Sequence, residues 1–277
     1  MIVTRFAPSP TGLLHLGHAF AAITAAEAGE RFLLRIEDID RGRCRPEFEA
    51  AIFEDLRWLG LRWEEPVLRQ SARFDAYRAA LGRLEREGLL YPCFCARKEI
   101  AEEIARAIEA PHGPEGPLYP GTCRKLSGDV RNTRIASGEQ YALRLDAAEA
   151  AKRVGSLTFK DHSNVVNVDP LLFGDVVLAR KDTPASYHLA VVVDDAFQGV
   201  TLVTRGEDLL PAAHIQRVLQ TLLGLPEPAY AHHRLILDET GKKFSKRDRS
   251  ATLRNLRESG VTVAQMREKL GLAPQKQ

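Results

Sequence analysis

The stretch that decides the fold is "RFAPSPTGLLHLGH", residues 5–18, set between the apolar start Met1-Ile2-Val3 and an alanine-rich run that ends at Gly29. Apolar residues, a Pro/Gly loop and a helix-forming run predict a strand, a loop and a helix over about residues 16–28. A loop entering a helix N-terminus offers unpaired backbone N–H groups and the positive end of the helix dipole, and so holds phosphate readily. Gly12 and Gly17 let the backbone come close to a ligand. His15 and His18, three apart, fall on one side of the first turn, where both imidazoles can donate to phosphate oxygens.

Residues 32–36 form a short apolar run of the kind a buried parallel strand shows, and it ends in the acidic cluster Glu37-Asp38-Ile39-Asp40. Residues 46–59 carry Phe48, Ile52, Phe53 and Leu56 at helical spacing. This βαβα beginning predicts an α/β fold built on a doubly wound parallel, Rossmann-type sheet. Ser71 is expected to cap a helix reaching about Glu87. After Gly88 the texture changes to a Pro/Gly-rich segment with three of the four cysteines, which places an insertion at 89–165 between two halves of the nucleotide-binding domain, 1–88 and 166–238. Strands are expected at 176–178, 201–203 and 235–237, where the parallel sheet resumes, and helices at 187–197 and 211–223. Residues 239–277 are expected to form a lysine-containing loop and a short helical tail, helical over 263–270.

Hydrophobic residues make up 44% and charged residues 27%, which excludes a disordered or fibrous chain. No run approaches eighteen apolar residues, and the start MIVTRF lacks the features of a secretory signal, so a cytoplasmic protein without a membrane partner is expected. The net charge of +2 makes no global basic field. Its distribution is uneven: residues 242–257 hold seven Lys or Arg against the single acid Asp248, so a polyanion would favour that end. Four cysteines are too few for a disulfide framework, and the Cys93-x-Cys95 pair points to a metal or redox role.

"HLGH" resembles the HIGH motif of class I aminoacyl-tRNA synthetases, and the whole of residues 5–18 resembles the opening of their glutamyl branch. "KFSKR" at 243–247 resembles the second, lysine-containing motif of that class. The resemblance implies ATP, with Mg²⁺, as co-substrate, held by Gly12, His15, Gly17, His18 and Lys246. His15, His18, Lys243 and Lys246 would carry the catalysis. Activation of a carboxylate builds negative charge on an α-phosphorus while pyrophosphate leaves, so positioned donors and cations suffice. Glutamate carries two carboxylates, so two arginines are expected, and Arg5 and Arg205 stand at strand ends where doubly wound sheets bind ligands. With Ala7, Ser9, Glu37 and Tyr187 they match the family's glutamate-binding positions.

The full glutamyl-tRNA synthetases carry a long helical anticodon-binding part after the lysine loop, whereas thirty residues follow Arg247 here, and Val191 stands where their "YHLAN" pattern has asparagine. Both features, with "LAVVVDDAFQGVT" at 189–201, resemble the truncated glutamyl-queuosine tRNA(Asp) synthetase family. The resemblance implies transfer of glutamate to the queuosine base at the wobble position of tRNA(Asp), by a monomer docking one anticodon stem-loop. Charging of a tRNA 3′ end, a small-molecule nucleotidyltransferase and a non-catalytic RNA-binding paralogue are the other readings. Cys93, Cys95, Tyr119 and Cys123 resemble that family's structural zinc site, one ion per chain. On general chemistry His112 competes with Tyr119 as fourth ligand, because imidazole is the commoner zinc donor.

Overall fold

A computed structural model describes residues 1–96, 98–100, 112–180, 183–237, 241 and 252–274. Along the chain run β1 (Val3–Phe6), α1 (Leu16–Ala28), β2 (Arg31–Ile36), α2 (Pro46–Trp58), β3 (Glu64–Arg69), α3 (Phe74–Arg86) and β4 (Leu90–Cys93). There follow β5 (His112–Gly113), β6 (Gly116–Pro117), α4 (Gly128–Ala136), β7 (Ala142–Leu145), α5 (Ala147–Val154), β8 (Thr158–Asp161), β9 (Asn164–Asn167) and β10 (Val177–Arg180). The chain continues through α6 (Tyr187–Phe197), β11 (Leu202–Gly206), α7 (Leu210–Leu222), β12 (Ala229–His233), α8 (Leu253–Glu258) and α9 (Val263–Lys269). These elements divide into two compact units, the first built from residues 1–72, 199–209 and 228–277, the second from 73–198 and 210–227.

In the first unit β1 pairs parallel with β2, β2 with β3, and β11 with β12. Thr201 N–H donates to the Val3 carbonyl at 3.0 Å, and the Arg5 guanidinium reaches the Thr204 carbonyl at 3.4 Å. Strand β11 therefore lies beside β1 and runs the same way, giving the spatial order β3-β2-β1-β11-β12. The order reverses between β1 and β11, and open α/β sheets bind their ligands outside the carboxyl ends of strands at such a point. Alanine-rich α1 buries Leu16, Ala19, Phe20, Ala22, Ile23 and Ala25. Leu34 and Ile36 of β2 and Ile52 and Leu56 of α2 belong to the same core, as do Leu253, Met266 and Leu270 from the tail. At about 1.5–3 kcal/mol for each fully buried aliphatic side chain, the tail helices are part of what holds this unit together.

In this unit one strand is added and two local expectations are corrected. The edge strand β3 was not anticipated, because "EEPVLR" is charged and carries a proline; its Glu64 pairs with Arg31 of β2 at 2.6 Å. Ser71 caps no helix: it lies in a 3₁₀ turn, Gln70–Ala72, where its N–H and hydroxyl both bind the Asp38 carboxylate, at 2.8 and 2.5 Å. The last strand is Ala229–His233 rather than 235–237, since two histidines hide its period from a reading by hydropathy.

The second unit contains an antiparallel sheet of order β10-β7-β4 and an antiparallel β8–β9 hairpin. The strand expected at 176–178 forms as β10 but pairs antiparallel with β7, so it does not extend the parallel sheet. Helices α6 and α7 cover this unit's interior with Leu189, Ala190, Val192, Ile215 and Leu219. Buried Asp194 of α6 accepts from Tyr77 Oη at 2.6 Å and Arg73 at 3.2 Å. No described helix is long and apolar enough to cross a membrane.

One buried charge in the first unit carries a stability prediction. Asp55 of α2 is fully buried and faces Arg257 of α8 at 3.7 Å, while Arg257 also binds Glu54 at 3.1 Å. Burial pushes the Asp55 carboxyl up to about 6, against the opposing pull of Arg257 and Arg254. A raised folded-state pKa means that the native state holds the proton more tightly than the unfolded chain does. Its stabilising contribution is complete below about 4 and fades as pH rises through about 6. Thermal melts of wild type and Asp55→Asn between pH 4.5 and 7.5 should therefore diverge, the variant gaining about 5 °C on the wild type over that interval. Parallel melting curves would remove this role for Asp55.

Candidate active site

The loop after β1 is tied to the carboxyl end of β2, because Glu37 N–H donates to the Pro8 carbonyl and Arg45 N–H to the Pro10 carbonyl, both at 3.0 Å. This loop carries Ala7, Ser9 and Gly12 to the N-terminus of α1. There the two histidines cap the helix reciprocally. His15 Nδ1 accepts from Gly17 N–H at 3.1 Å, and His18 Nδ1 accepts from His15 N–H at 3.2 Å. Both Nδ1 atoms being acceptors, the proton of each neutral ring sits on Nε2, so each ring can present an N–H donor on its outer edge. A Cβ on Gly17 would fall 3.1 Å from the His15 ring, which explains the glycine at that position.

Of the positions assigned by resemblance to the amino acid, Arg5, Ala7, Ser9, Glu37 and Arg205 belong to the first unit and lie toward the carboxyl ends of its parallel strands. Arg5 and Arg205, each 5% exposed, stand at the carboxyl ends of β1 and β11, on either side of the point where strand order reverses. Glu37 follows β2 and is held at 3.3 Å by Arg35, whose side chain is completely buried. Arg205 Nε donates to His232 Nε2 at 3.0 Å. Arg35 and His232 went unrecognised in the sequence: Arg35 lies within an apolar strand, and His232 has no motif around it. Tyr187 belongs to the second unit, where it begins α6, is 38% exposed and lines a cavity of ≈ 450 Å³ with Tyr119, Arg144, Asp175 and Arg180. Lys243 and Lys246 lie outside the described residues.

The second unit also assembles the cysteines. Cys93 ends β4, and Cys123 sits in a 3₁₀ turn, Thr122–Lys125, entered through Gly121 at φ 80°, a left-handed conformation that favours glycine. The sulfurs of Cys93, Cys95 and Cys123 all lie within 4.8 Å of one another. Cys95 Sγ is 3.4 Å from Cys123 Sγ and 3.5 Å from Tyr119 Oη, and Tyr119 Oη accepts from Cys123 N–H at 2.9 Å. These separations are far too long for a disulfide. They resemble the S···S and S···O spacings of about 3.8 and 3.5 Å that tetrahedral zinc–sulfur and zinc–oxygen bonds imply. Burial, with the neighbouring thiols, pushes Cys95 up to about 12, so a dication is what would let all three sulfurs ionise together. The donor set fits a metal. The Arg144 guanidinium lies 3.9 Å over the Tyr119 ring, a neighbour that no spacing in the sequence marks. His112 lies in β5.

Comparison with known proteins bears on this geometry. Residues 1–273 match the family described as tRNA synthetases class I (E and Q), catalytic domain. The chain belongs to that family. Among these synthetases it is 50% identical to the glutamyl-Q tRNA(Asp) synthetase of Rhodobacter capsulatus, over 98% of this chain and 100% of that protein. It is 45% identical to the protein of the same name from Nocardia farcinica, over 98% of this chain and 85% of the relative. With the glutamate–tRNA ligase of Aquifex aeolicus it shares 40% identity, over 94% of this chain and 54% of the ligase. A crystal structure of the glutamate tRNA ligase from Elizabethkingia meningosepticum, in complex with its amino acid, superposes with a TM-score of 0.72 at 29% identity, over 89% of this chain and 52% of that one. The chain thus spans about half the length of the solved ligase. Class I synthetases use ATP with Mg²⁺, and a helix N-terminus is a place where phosphate can bind.

Proposed function

We propose that the protein activates L-glutamate with ATP as glutamyl-adenylate and transfers the glutamate to the queuosine base at the wobble position of tRNA(Asp). The observation that carries the activation step is the convergence, at one end of one parallel sheet, of the His15/His18 cap with buried Arg5 and Arg205. A carboxylate oxygen attacks the α-phosphorus, the bond to the β-phosphate oxygen breaks, and pyrophosphate leaves. The Nε2–H groups of His15 and His18 donate to the α-phosphate oxygens as charge builds there, and Lys243 and Lys246 supply positive charge to the departing pyrophosphate. Arg5 and Arg205 grip the two carboxylates, Glu37 takes the ammonium, and Ala7 and Ser9 complete the glutamate site. Gly12 and Gly17 admit the nucleotide.

A hydroxyl of the queuosine cyclopentene diol then attacks the acyl carbon and AMP leaves. The choice of acceptor is supported by the names of relatives that this chain covers over most of their length, and by Val191, buried in α6, where the charging enzymes' pattern has asparagine. In the same reading Cys93, Cys95, Cys123 and Tyr119 hold one structural zinc in the insertion at 89–165. The enzyme acts as a cytoplasmic monomer on one anticodon stem-loop. Charging of a 3′ end is the second reading, favoured by the likeness to the Aquifex ligase. The test uses radiolabelled glutamate, ATP and tRNA(Asp) with or without queuosine, followed by nuclease digestion. Label should appear on the wobble nucleoside of the queuosine-bearing tRNA alone. Label on the terminal adenosine would replace this reading with the second.

A further inference from the structure

Arg205 and His232 occupy the same register position on neighbouring strands β11 and β12. Both are buried, at 5% and 8% exposure, and the guanidinium Nε donates to the imidazole Nε2 at 3.0 Å. Tyr230, two residues back on the same face of β12, lies with its ring parallel to that of His232 and 5.2 Å from Arg205 Cζ. We propose that His232 is a positioning residue: it fixes the plane of the Arg205 guanidinium without neutralising it, and so sets the affinity for the substrate's carboxylate. This rests on the reading of Arg205 as a glutamate-binding residue.

The chemistry of the pair carries the inference. An imidazole whose Nε2 accepts a hydrogen bond holds its proton on Nδ1 and is neutral. Buried arginines are commonly oriented by aspartate or glutamate, but a carboxylate there would cancel the charge that an anionic ligand needs and compete with it for the guanidinium fork. A neutral acceptor orients Arg205 without itself cancelling the guanidinium charge. Once Nε is engaged, the direction of the two η nitrogens is set by the ring plane, and bidentate recognition of a carboxylate depends on that direction. Tyr230 forms an apolar wall that limits tilting of the guanidinium. Strand β12 thus carries, on one face, both groups that immobilise a residue of β11.

The proposal separates acceptor geometry from charge, and three substitutions at one position do the same. His232→Ala removes the acceptor, His232→Gln offers a neutral amide oxygen at similar reach, and His232→Glu offers an acceptor that carries charge. Glutamate-dependent ATP–pyrophosphate exchange gives KM for glutamate, KM for ATP and kcat; calorimetric titration with glutamate gives its affinity directly. His232→Ala should raise KM for glutamate about 10-fold, with KM for ATP and kcat within about threefold of wild type. Gln should restore KM for glutamate to within about threefold, whereas Glu should raise it more than Ala does, by about 100-fold. A packing role alone would not separate Gln from Glu in this way. Unchanged KM for glutamate in His232→Ala, or a Glu variant as good as the Gln variant, overturns the proposal while leaving the proposed function intact. A wild-type protein that neither binds glutamate nor shows glutamate-dependent exchange overturns the function and this role with it.

Discussion

Replacing His18 by asparagine is expected to leave the melting temperature nearly unchanged and to lower glutamate-dependent ATP–pyrophosphate exchange by about 10²–10³-fold. The asparagine side-chain oxygen stands where Nδ1 stands in histidine, so it can still accept from His15 N–H and keep the reciprocal cap on α1. What it lacks is the outer Nε2–H. His18→Gln makes the complementary change, placing an amide donor near the position of Nε2. That variant should melt close to wild type, because a glutamine at this helical position can accept from the cap N–H as Gln265 does from Thr262 at 2.9 Å, and it should keep more activity than the asparagine variant. Steady-state exchange assays and thermal melts on both proteins check the two halves of the prediction. Equal activity in the two variants would mean that the ring serves the helix and not the nucleotide.

The second large effect is expected at the thiols. Wild-type protein should contain one equivalent of zinc by atomic spectroscopy, and Cys123→Ser none. Structural zinc sites contribute apparent binding energies of about 10–16 kcal/mol, as much as the whole stability of a domain, so metal loss should release the surrounding chain outright. The loop around Gly121 has little core of its own: Tyr91, Cys93, Phe94 and Cys123 are its buried members, and Cys95, Tyr119 and Leu126 pack against them. Chelation of the wild type and the Cys123→Ser substitution should both speed limited proteolysis within residues 89–165, with a broadened or lowered thermal transition. Tyr119→Phe decides the fourth ligand. If the phenol oxygen binds, zinc affinity falls; if His112 binds instead, Tyr119→Phe keeps full affinity and a His112 variant loses it. A zinc-free wild type as resistant to protease as the variant would remove the metal from the account.

Much of the fold was legible because its decisive signals are local. A Pro/Gly loop between an apolar run and an alanine-rich run reads as strand, loop and helix, and α1 spans Leu16–Ala28 as expected. Strands β3 and β12 escape a reading by hydropathy because β3 is an edge strand that carries charge and β12 carries two histidines, both of which erase the alternation that hydropathy detects. The direction of β10 was beyond reach, since pairing partners are a property of the whole sheet. Candidate site residues inside the motifs could be named one by one from the sequence. Arg35 and His232 could not, because each acts on a neighbour, Glu37 or Arg205, and that adjacency exists only after folding.

The chain returns to the histidine loop before entering its tail helices: Leu253 N–H donates to the Leu14 carbonyl at 2.8 Å, and Thr252 forms a β-bridge with His15. The residue that caps α1 is thus fastened to a position more than 230 places further along the chain, five residues beyond the end of "KFSKR". A substitution that broke this bridge would loosen the amino end of α1 and the attachment of the tail helices in one event, so two distant parts of the sequence share a single seam.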